Sequence, residues 1–222
     1  DYHTIVLAPN SIQEAIDMIG KAFDLADEYR NPVIIAADGM LGQMMEPVVL
    51  PEPKTVTVDK PWALTGTECK REHNIVNSLY LSPEVLERTN IERYERYKEV
   101  EKNETRWEEY MMEDAEYCIV AFGIAARVAK NAIKVLREKG IKTGLIRPIT
   151  VWPFPSEPIK KASEKVKGFI SVELSMGQMI EDVRLAEECR KPVALCSRSG
   201  GMIPDVDRIV KSVEEMAEGE AK

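Results

Sequence analysis

The side chains that could carry chemistry in this sequence come directly after short apolar runs. Asp38 and Gly39 follow residues 33–37, and Glu173 closes the run 168–173. Such runs are typical of buried parallel strands, and parallel α/β sheets bind ligands at the carboxyl ends of their strands. The same reasoning selects four further places as candidate sites: Gly123, Arg147 with Pro148, residues 175–177 and residues 197–201.

Glu173 is the carboxylate with the widest choice of roles. Burial at the end of an apolar strand could raise its pKa and make it a proton-transfer group. It could equally pair with Arg147 or Arg184, or cap the helix that follows. The structural uses are favoured over proton transfer.

Neither Asp38 nor Gly123 stands in a recognisable cofactor motif. A magnesium–diphosphate motif would read Gly-Asp-Gly with a downstream Asn pair, whereas Ala37 precedes Asp38 and no Asn-Asn follows at a suitable distance. Gly123 begins a turn into a helix whose N-terminus could hold an anion, but without a G-x-G-x-x-G pattern a simple tight turn is favoured. The two histidines, His3 and His73, form no hydrolytic or metal-binding pattern. We therefore predict no metal site.

Four segments would position these side chains: residues 1–50, 51–82, 83–113 and 114–222. The first contains a strand, a helix and a second strand, with Ser11 and Glu14 as a capping box at the start of the helix. The second is a proline-rich linker, and the third is a long charged helical segment. The last alternates four strands with helices, which predicts a parallel sheet covered by helices on both faces. The fold class is therefore α/β.

The composition excludes several classes of function. The 222 residues carry a net charge of −8, which disfavours nucleic acid and anionic membrane surfaces as partners. No apolar run reaches the ~20 residues of a membrane span. The four cysteines do not have the spacing of a cluster or zinc motif, so we expect this chain to ligate neither. A reducing cytoplasm is the expected location.

Six stretches form a further pattern: residues 38–47 (DGMLGQMMEP), 60–66 (KPWALTG), 74–81 (NIVNSLYL), 147–155 (RPITVWPFP), 172–184 (VELSMGQMIEDVR) and 199–204 (SGGMIP). The first resembles the end of the pyrimidine-type domain in the alpha subunit of 2-oxoacid:ferredoxin oxidoreductases. The last three are similar to motifs of the transketolase C-terminal-like domain that follows it, the final one more weakly. The two linker stretches resemble the branched-chain, 3-methyl-2-oxobutanoate branch of that family.

The resemblance implies an enzyme complex and not a self-sufficient chain. Such enzymes decarboxylate a 2-oxoacid on thiamine diphosphate, pass electrons through iron–sulfur clusters to ferredoxin and release an acyl-CoA. The resemblance thus implies thiamine diphosphate, Mg and iron–sulfur clusters in the complete complex, with CoA as co-substrate and no cofactor bound by this chain alone. It also implies beta, gamma and ferredoxin-like partner subunits, with the thiamine diphosphate between the alpha subunit's pyrimidine domain and the beta subunit.

Two features of the family's pyrimidine domain are missing from this sequence: the Tyr-Pro-Ile-Thr-Pro substrate loop and a setting for the activating glutamate. Residues 1–50 therefore look like the C-terminal remnant of that domain, and we assign no catalytic residue. Four residues that fit the second-domain motifs are expected to order loops at a subunit interface near the cofactor cleft: Arg147, Glu173, Gly177 and Gln178. Asp38 and Gly39 are further candidates for this role.

Two hypotheses remain open for the function. In the first, the chain is part of an oxidoreductase alpha subunit, acting on 2-ketoisovalerate and inactive without its partner chains. In the second, it is a non-catalytic α/β scaffold or regulatory module with the same fold. In both, the incomplete first sheet is expected to expose apolar surface and to favour self-association.

Overall fold

The computed structural model describes residues 2–53 and 59–219. Its strands are β1 (Ile5–Leu7), β2 (Val33–Ile35), β3 (Trp107–Tyr110), β4 (Tyr117–Val120), β5 (Thr143–Pro148), β6 (Thr150–Trp152), β7 (Gly168–Glu173) and β8 (Val193–Ser197). Its helices are α1 (Ile12–Glu28), α2 (Pro83–Glu104), α3 (Gly123–Glu138), α4 (Ser156–Ser163), α5 (Met179–Ala186) and α6 (Val206–Ala217). A short 3₁₀ turn, Leu41–Gln43, follows β2.

The larger of two sheets has five strands in the order β3-β5-β4-β7-β8. The last four of these run parallel, whereas β3 pairs antiparallel with β5 at one edge. One face packs on α3 and α6 around Ile119 and Leu145, and the other packs on α4 and α5 around Phe169. The α/β class predicted from the sequence is confirmed, and the sheet is mixed instead of wholly parallel.

The charged segment 83–113 is not helical throughout, which corrects the prediction from the sequence. The Ser82 hydroxyl caps α2 by accepting a hydrogen bond from Val85 N, and the helix ends at Glu104. Residues Trp107–Tyr110 then leave the helical path and pair with β5. A strand this polar is stable at a sheet edge, because alternate side chains face solvent there.

The smaller sheet joins the two ends of the fold. Its order is β2-β1-β6, with β1 and β2 parallel and β6 antiparallel to β1. Only Ile149 separates β6 from β5, so the chain passes directly from the large sheet to the small one. Ile5 and Leu7 of β1 are buried in one cluster with Met18 of α1 and Val100 of α2. Residues of the first 50 positions are therefore packed as part of the whole molecule.

Apolar side chains of α1 and of the edge strand β2 are exposed, as expected from the sequence. Phe23 of α1 is 71% exposed, and Ile34 of the edge strand β2 is 50% exposed.

None of the helices within residues 2–53 and 59–219 is long and apolar enough to cross a bilayer.

The predicted linker 51–82 contains neither helix nor strand in its described parts, and its residues 54–58 lie outside the described chain. The loop is nevertheless anchored to the end of α1. Lys60 Nζ lies 2.5 Å from Asp27 Oδ2, and the Arg30 guanidinium carbon lies 4.8 Å from the centroid of the Trp62 ring. These contacts hold the start of the loop beside the small sheet.

Replacing Leu7 tests the small sheet as part of the core. We expect Leu7→Ala to lower the free energy of unfolding by about 2–4 kcal/mol, since the side chain is buried in the central strand. Ile34→Ala, in the neighbouring strand but exposed, should cost about 0.5 kcal/mol or less. Urea denaturation followed by circular dichroism measures both. Equal costs for the two variants would contradict the packing described here.

Candidate functional site

Asp38 connects the end of β2 to the start of α3. Its Oδ2 accepts a hydrogen bond from Ile124 N at 2.8 Å, and its Oδ1 accepts from Met40 N and Leu41 N at 3.1 and 3.0 Å. The carboxylate therefore closes its own turn with one oxygen and caps a helix of the large domain with the other. A negative charge at a helix N-terminus is favoured by the unpaired N–H groups there.

Gly123 is the residue that allows Asp38 to come so close. Its φ is +59°, and a Cβ at this position would lie 2.6 Å from Asp38 Oδ2. The helix N-terminus that the sequence offered as an anion site is thus occupied by a carboxylate of the same chain. Gly39 is different, because a Cβ there would meet nothing within 4 Å. Gly39 therefore follows Asp38 in the turn, and the space around it would accept a side chain.

Arg147 joins three elements at the carboxyl end of β5. It is only 3% exposed, and its guanidinium binds Glu14 of α1 and, at 2.9 Å, Glu108 of β3. The same group donates to Ala8 O at 3.4 Å. Its partners are Glu14 and Glu108, and Glu173 is not among them, so the Arg147–Glu173 pair considered from the sequence does not form.

Glu173 binds the loop and helix that follow it. Its carboxylate accepts hydrogen bonds from three backbone N–H groups and two hydroxyls: Gln178 N (2.8 Å), Met179 N (3.0 Å), Ile180 N (2.8 Å), Ser171 Oγ (2.8 Å) and Ser175 Oγ (2.7 Å). Burial acts to raise the pKa of Glu173, but these hydrogen bonds to the charged form outweigh it and lower the pKa. The helix-capping role considered from the sequence is therefore present in the structure.

Gly177 and Gln178 complete this loop. Gly177 has φ +101°, and a Cβ on it would lie 3.0 Å from Leu195 Cδ2 of β8. Gln178 is the N-cap residue of α5, and it offers its backbone N–H to Glu173. The loop conformation thus requires glycine at one position and Glu173 at its base.

A third connection between the small sheet and the large domain was missed by the sequence reasoning. Glu46 Oε1 lies 2.7 Å from Arg127 Nη1 of α3, and Glu46 Oε2 accepts from Ile12 N at 3.0 Å. The hydrogen bond from Ile12 and the one from Arg127 lower the pKa of Glu46. Glu46 belongs to the stretch 38–47, but no local pattern links it to a partner that lies 81 residues away.

A cavity of about 460 Å³ opens where the carboxyl ends of β2, β4 and β7 meet. Three of the six predicted residues line it: Asp38, Glu173 and Gln178. Arg147, Gly39 and Gly177 do not line it. The cavity adds Asp182 of α5, which the sequence did not single out. Partial burial, then the negative charges of Glu181 and Glu173, raise the pKa of Asp182.

The cavity is a poor match for an anionic group. Its walls carry three carboxylates, and none of the described residues that line it is Arg, Lys or His. Within residues 2–53 and 59–219, no group of three or more His, Cys, Asp or Glu side chains is placed to hold a metal ion. These residues therefore do not fit the diphosphate and magnesium of thiamine diphosphate, and no reaction step is assigned to them.

A double-mutant cycle tests the close approach of Gly123 and Asp38. Gly123→Ala should destabilise the protein by about 2–3 kcal/mol, because it adds a steric conflict with Asp38 to the cost of a positive φ. In an Asp38→Ala background the conflict is gone, so the cost of Gly123→Ala should fall to about 1 kcal/mol. Thermal denaturation gives both values. Gly140→Ala, with φ +84° and no atom within 4 Å, is the matched control for backbone strain alone.

The stability contributed by Glu173 should depend on pH. Its pKa is lower in the folded protein than in the unfolded chain, so its contribution is complete above the unfolded pKa and is lost as pH falls through the folded value. Near pH 7, Glu173→Gln should lower the free energy of unfolding by about 2–4 kcal/mol. The difference from the wild type should shrink below about pH 4. Urea denaturation as a function of pH measures it, with exposed Glu181→Gln as the control; a constant difference would contradict this account.

The comparisons with known proteins cover both parts of the chain. Residues 1–112 match the family described as pyruvate flavodoxin/ferredoxin oxidoreductase, thiamine diphosphate-binding. Residues 115–209 match pyruvate:ferredoxin oxidoreductase core domain II. Among solved structures, the fold is similar to the 2-oxoglutarate:ferredoxin oxidoreductase from Magnetococcus marinus, with a TM-score of 0.73. The superposition covers 96% of this chain and 42% of that one. At 21% identity, this likeness concerns the fold.

Curated relatives are more similar in sequence. The chain is 49% identical, over 98% of its length, to the ketoisovalerate oxidoreductase subunit VorB of Methanothermobacter marburgensis, and 44% identical over the same share to that of Methanothermobacter thermautotrophicus. It is 31% identical, over 96% of its length, to the 2-oxoglutarate synthase subunit KorA of Methanocaldococcus jannaschii. The chain spans 61% of the length of the first two relatives and 64% of the third.

Proposed function

Because the chain belongs to the 2-oxoacid:ferredoxin oxidoreductase family, we propose that it forms part of the alpha subunit of an enzyme that oxidises 2-ketoisovalerate. The 2-oxoacid loses CO₂, its acyl group is transferred to CoA, and the two electrons released reduce ferredoxin. The chain contributes to this reaction only in the assembled complex and is inactive by itself.

We choose 2-ketoisovalerate as the substrate because the chain is more similar in sequence to ketoisovalerate oxidoreductase subunits than to a 2-oxoglutarate synthase subunit. The two ketoisovalerate relatives are 49% and 44% identical to this chain, whereas the 2-oxoglutarate synthase relative reported above is 31% identical over a similar share. The two linker stretches that resemble the branched-chain branch support the same choice.

The family also supports a set of cofactors and partners for the complete enzyme. Thiamine diphosphate with Mg supplies the chemistry of decarboxylation, and iron–sulfur clusters carry the electrons. The carboxylates around the cavity make this chain unsuited to hold the diphosphate, so a beta subunit is proposed to provide that half of the site. Gamma and ferredoxin-like subunits complete the complex, which acts in the cytoplasm and passes electrons to ferredoxin.

The six predicted residues have a positioning role in this proposal. Asp38 and Arg147 hold the end of β2 and the start of α1 against the large domain. Glu173 and Gly177 set the loop 174–178, whose Ser175 and Gln178 face the cavity. Gly39 lies in the turn that Asp38 closes. Together they would fix the loops that meet the partner subunit near the cofactor.

Reconstitution tests the proposed reaction. The complete alpha subunit, combined with its partner subunits, thiamine diphosphate, Mg and CoA, should reduce ferredoxin when 2-ketoisovalerate is added. We expect kcat/KM for 2-ketoisovalerate to exceed that for 2-oxoglutarate by about tenfold or more, since differences between 2-oxoacid side chains are worth a few kcal/mol. Ferredoxin reduction is followed by absorbance, and the alpha subunit alone is the inactive control.

Two outcomes would count against the proposal. A complex loaded with clusters and cofactors but inert towards every 2-oxoacid would refute the enzymatic function. Equal activity with 2-ketoisovalerate and 2-oxoglutarate would refute the substrate choice. In the same assay, Asp38→Ala should lower kcat while Glu181→Gln leaves it unchanged, because Asp38 connects the two parts of the chain and Glu181 does not.

A further inference from the structure

A second cavity, of about 740 Å³, lies between the end of α2, the start of β3 and the turn from β6 into α4. Its walls combine aromatic rings with charged groups of both signs. Six side chains carry this chemistry: Trp107, Trp152, Phe154, Glu101, Lys102 and Glu157. None of the six lines the cavity at the strand ends described above, so the two cavities are separate.

Two of the aromatic walls are held in place by residues outside the cavity. The ring of Trp152 stacks on His3, with centroids 5.0 Å apart, and meets Tyr97 edge-on at 5.5 Å. Trp107 Nε1 donates a hydrogen bond to Glu109 Oε1 at 3.2 Å. The three contacting residues do not line the cavity, so they fix the rings without filling it. Walls that are fixed in advance are typical of ligand sites.

The charged side chains of this cavity lack ion-pair partners. In the described part of the chain, no ion pair involves Lys102, Glu101 or Glu157. By contrast, Glu104 in the same turn of α2 contacts Arg106 at 3.0 Å. Lys102 and Glu101 are adjacent in the helix, and adjacent helical residues do not face each other. A cation and two carboxylates therefore remain available to one ligand.

This combination of groups excludes several classes of ligand. Two carboxylates repel phosphate, which disfavours a nucleotide even though the rings could stack on its base. A wholly apolar ligand would displace water from three charges and offer them no partner. No group of three metal-binding side chains is formed within residues 2–53 and 59–219. The ligand that matches every group carries one positive charge, one negative charge and an apolar body.

We propose that this cavity binds a free α-amino acid with an apolar side chain. The glutamates Glu101 and Glu157 bind its ammonium group, together with the aromatic faces, which attract cations. Its carboxylate accepts hydrogen bonds from Lys102 Nζ and from the hydroxyl of Ser156, which also lines the cavity. Its side chain packs on the remaining surface of the rings.

Such a ligand joins parts of the chain that are distant in sequence. Lys102 belongs to the last turn of α2, whereas Glu157 belongs to the first turn of α4. The complete site exists only in the folded protein, so binding stabilises the folded state by mass action. A ligand-dependent rise in the melting temperature is therefore a second measure of binding.

Titration calorimetry with L-leucine tests the proposal on the complete subunit. We expect a dissociation constant below about 1 mM, with a higher melting temperature at saturation. Two compounds each lack one charged half of leucine: 3-methylbutylamine has no carboxylate, and 4-methylpentanoate has no ammonium group. Each should bind about tenfold more weakly or worse, because part of the charged wall then has no partner.

Substitutions in the cavity should affect the two halves of the ligand separately. Lys102→Gln should weaken L-leucine about fivefold or more, yet leave 3-methylbutylamine within about twofold, because the amine has no group for this lysine. Glu157→Gln should likewise weaken L-leucine and spare 4-methylpentanoate. Both residues are exposed, so the fold should be kept. Lys134→Gln and Glu99→Gln, exposed on α3 and α2 outside the cavity, are the matched controls and should change nothing.

Three results would overturn the proposal. The first is no binding of L-leucine at concentrations up to about 10 mM. The second is equal affinity for L-leucine and 3-methylbutylamine, which would indicate a site for cations alone. The third is unchanged affinity in both cavity variants, since L-leucine would then bind elsewhere. None of them depends on the proposed oxidation of 2-ketoisovalerate, because the titration contains no 2-oxoacid, CoA or ferredoxin.

Discussion

A buried guanidinium must find acceptors, and in this protein that requirement fixes how the parts of the fold meet. Arg147 at the end of β5 is almost fully enclosed, so its charge is tolerable only with carboxylates beside it. One is Glu14, in the first turn of α1, and the other is Glu108, on the edge strand β3. A single side chain thus holds the first helix and the antiparallel edge strand to the same strand of the large sheet.

The cavity lies at the carboxyl ends of β2, β4 and β7, and β4 is the neighbour of the strand that carries Arg147. Asp38 and Glu173 both accept hydrogen bonds from backbone N–H groups, so their carboxylates hold loops and helix starts in place. The cavity between them keeps an acidic, cation-free wall. Such a wall repels a negatively charged cofactor group, so a neighbouring chain would have to bind that group. The role of this chain would then be to hold the loops that contact the neighbour.

The sequence predicted the α/β class, the four parallel strands and the places where strand ends carry polar residues. These depend on local patterns: apolar runs, caps and glycine turns. It could not predict the partner of Arg147, because Glu14 lies 133 residues away and nothing local connects them. Strand β3 was assigned to a helix, since its charged, glycine-free sequence is compatible with either state. Pairing with β5 decided between the two, and pairing is a property of the tertiary structure.

The passage from β5 through Ile149 into β6 bears on how the chain could be divided. Within the described residues of 51–82 no strand or helix is formed, so a break there would disturb only the anchored loop. The first piece would keep β1, α1 and β2, and the second would keep everything from α2 onward. Because β6 of the second piece completes the sheet of the first, the two would associate as complementing fragments of a split protein. The peptide link between the halves is thus less essential than the strand they share.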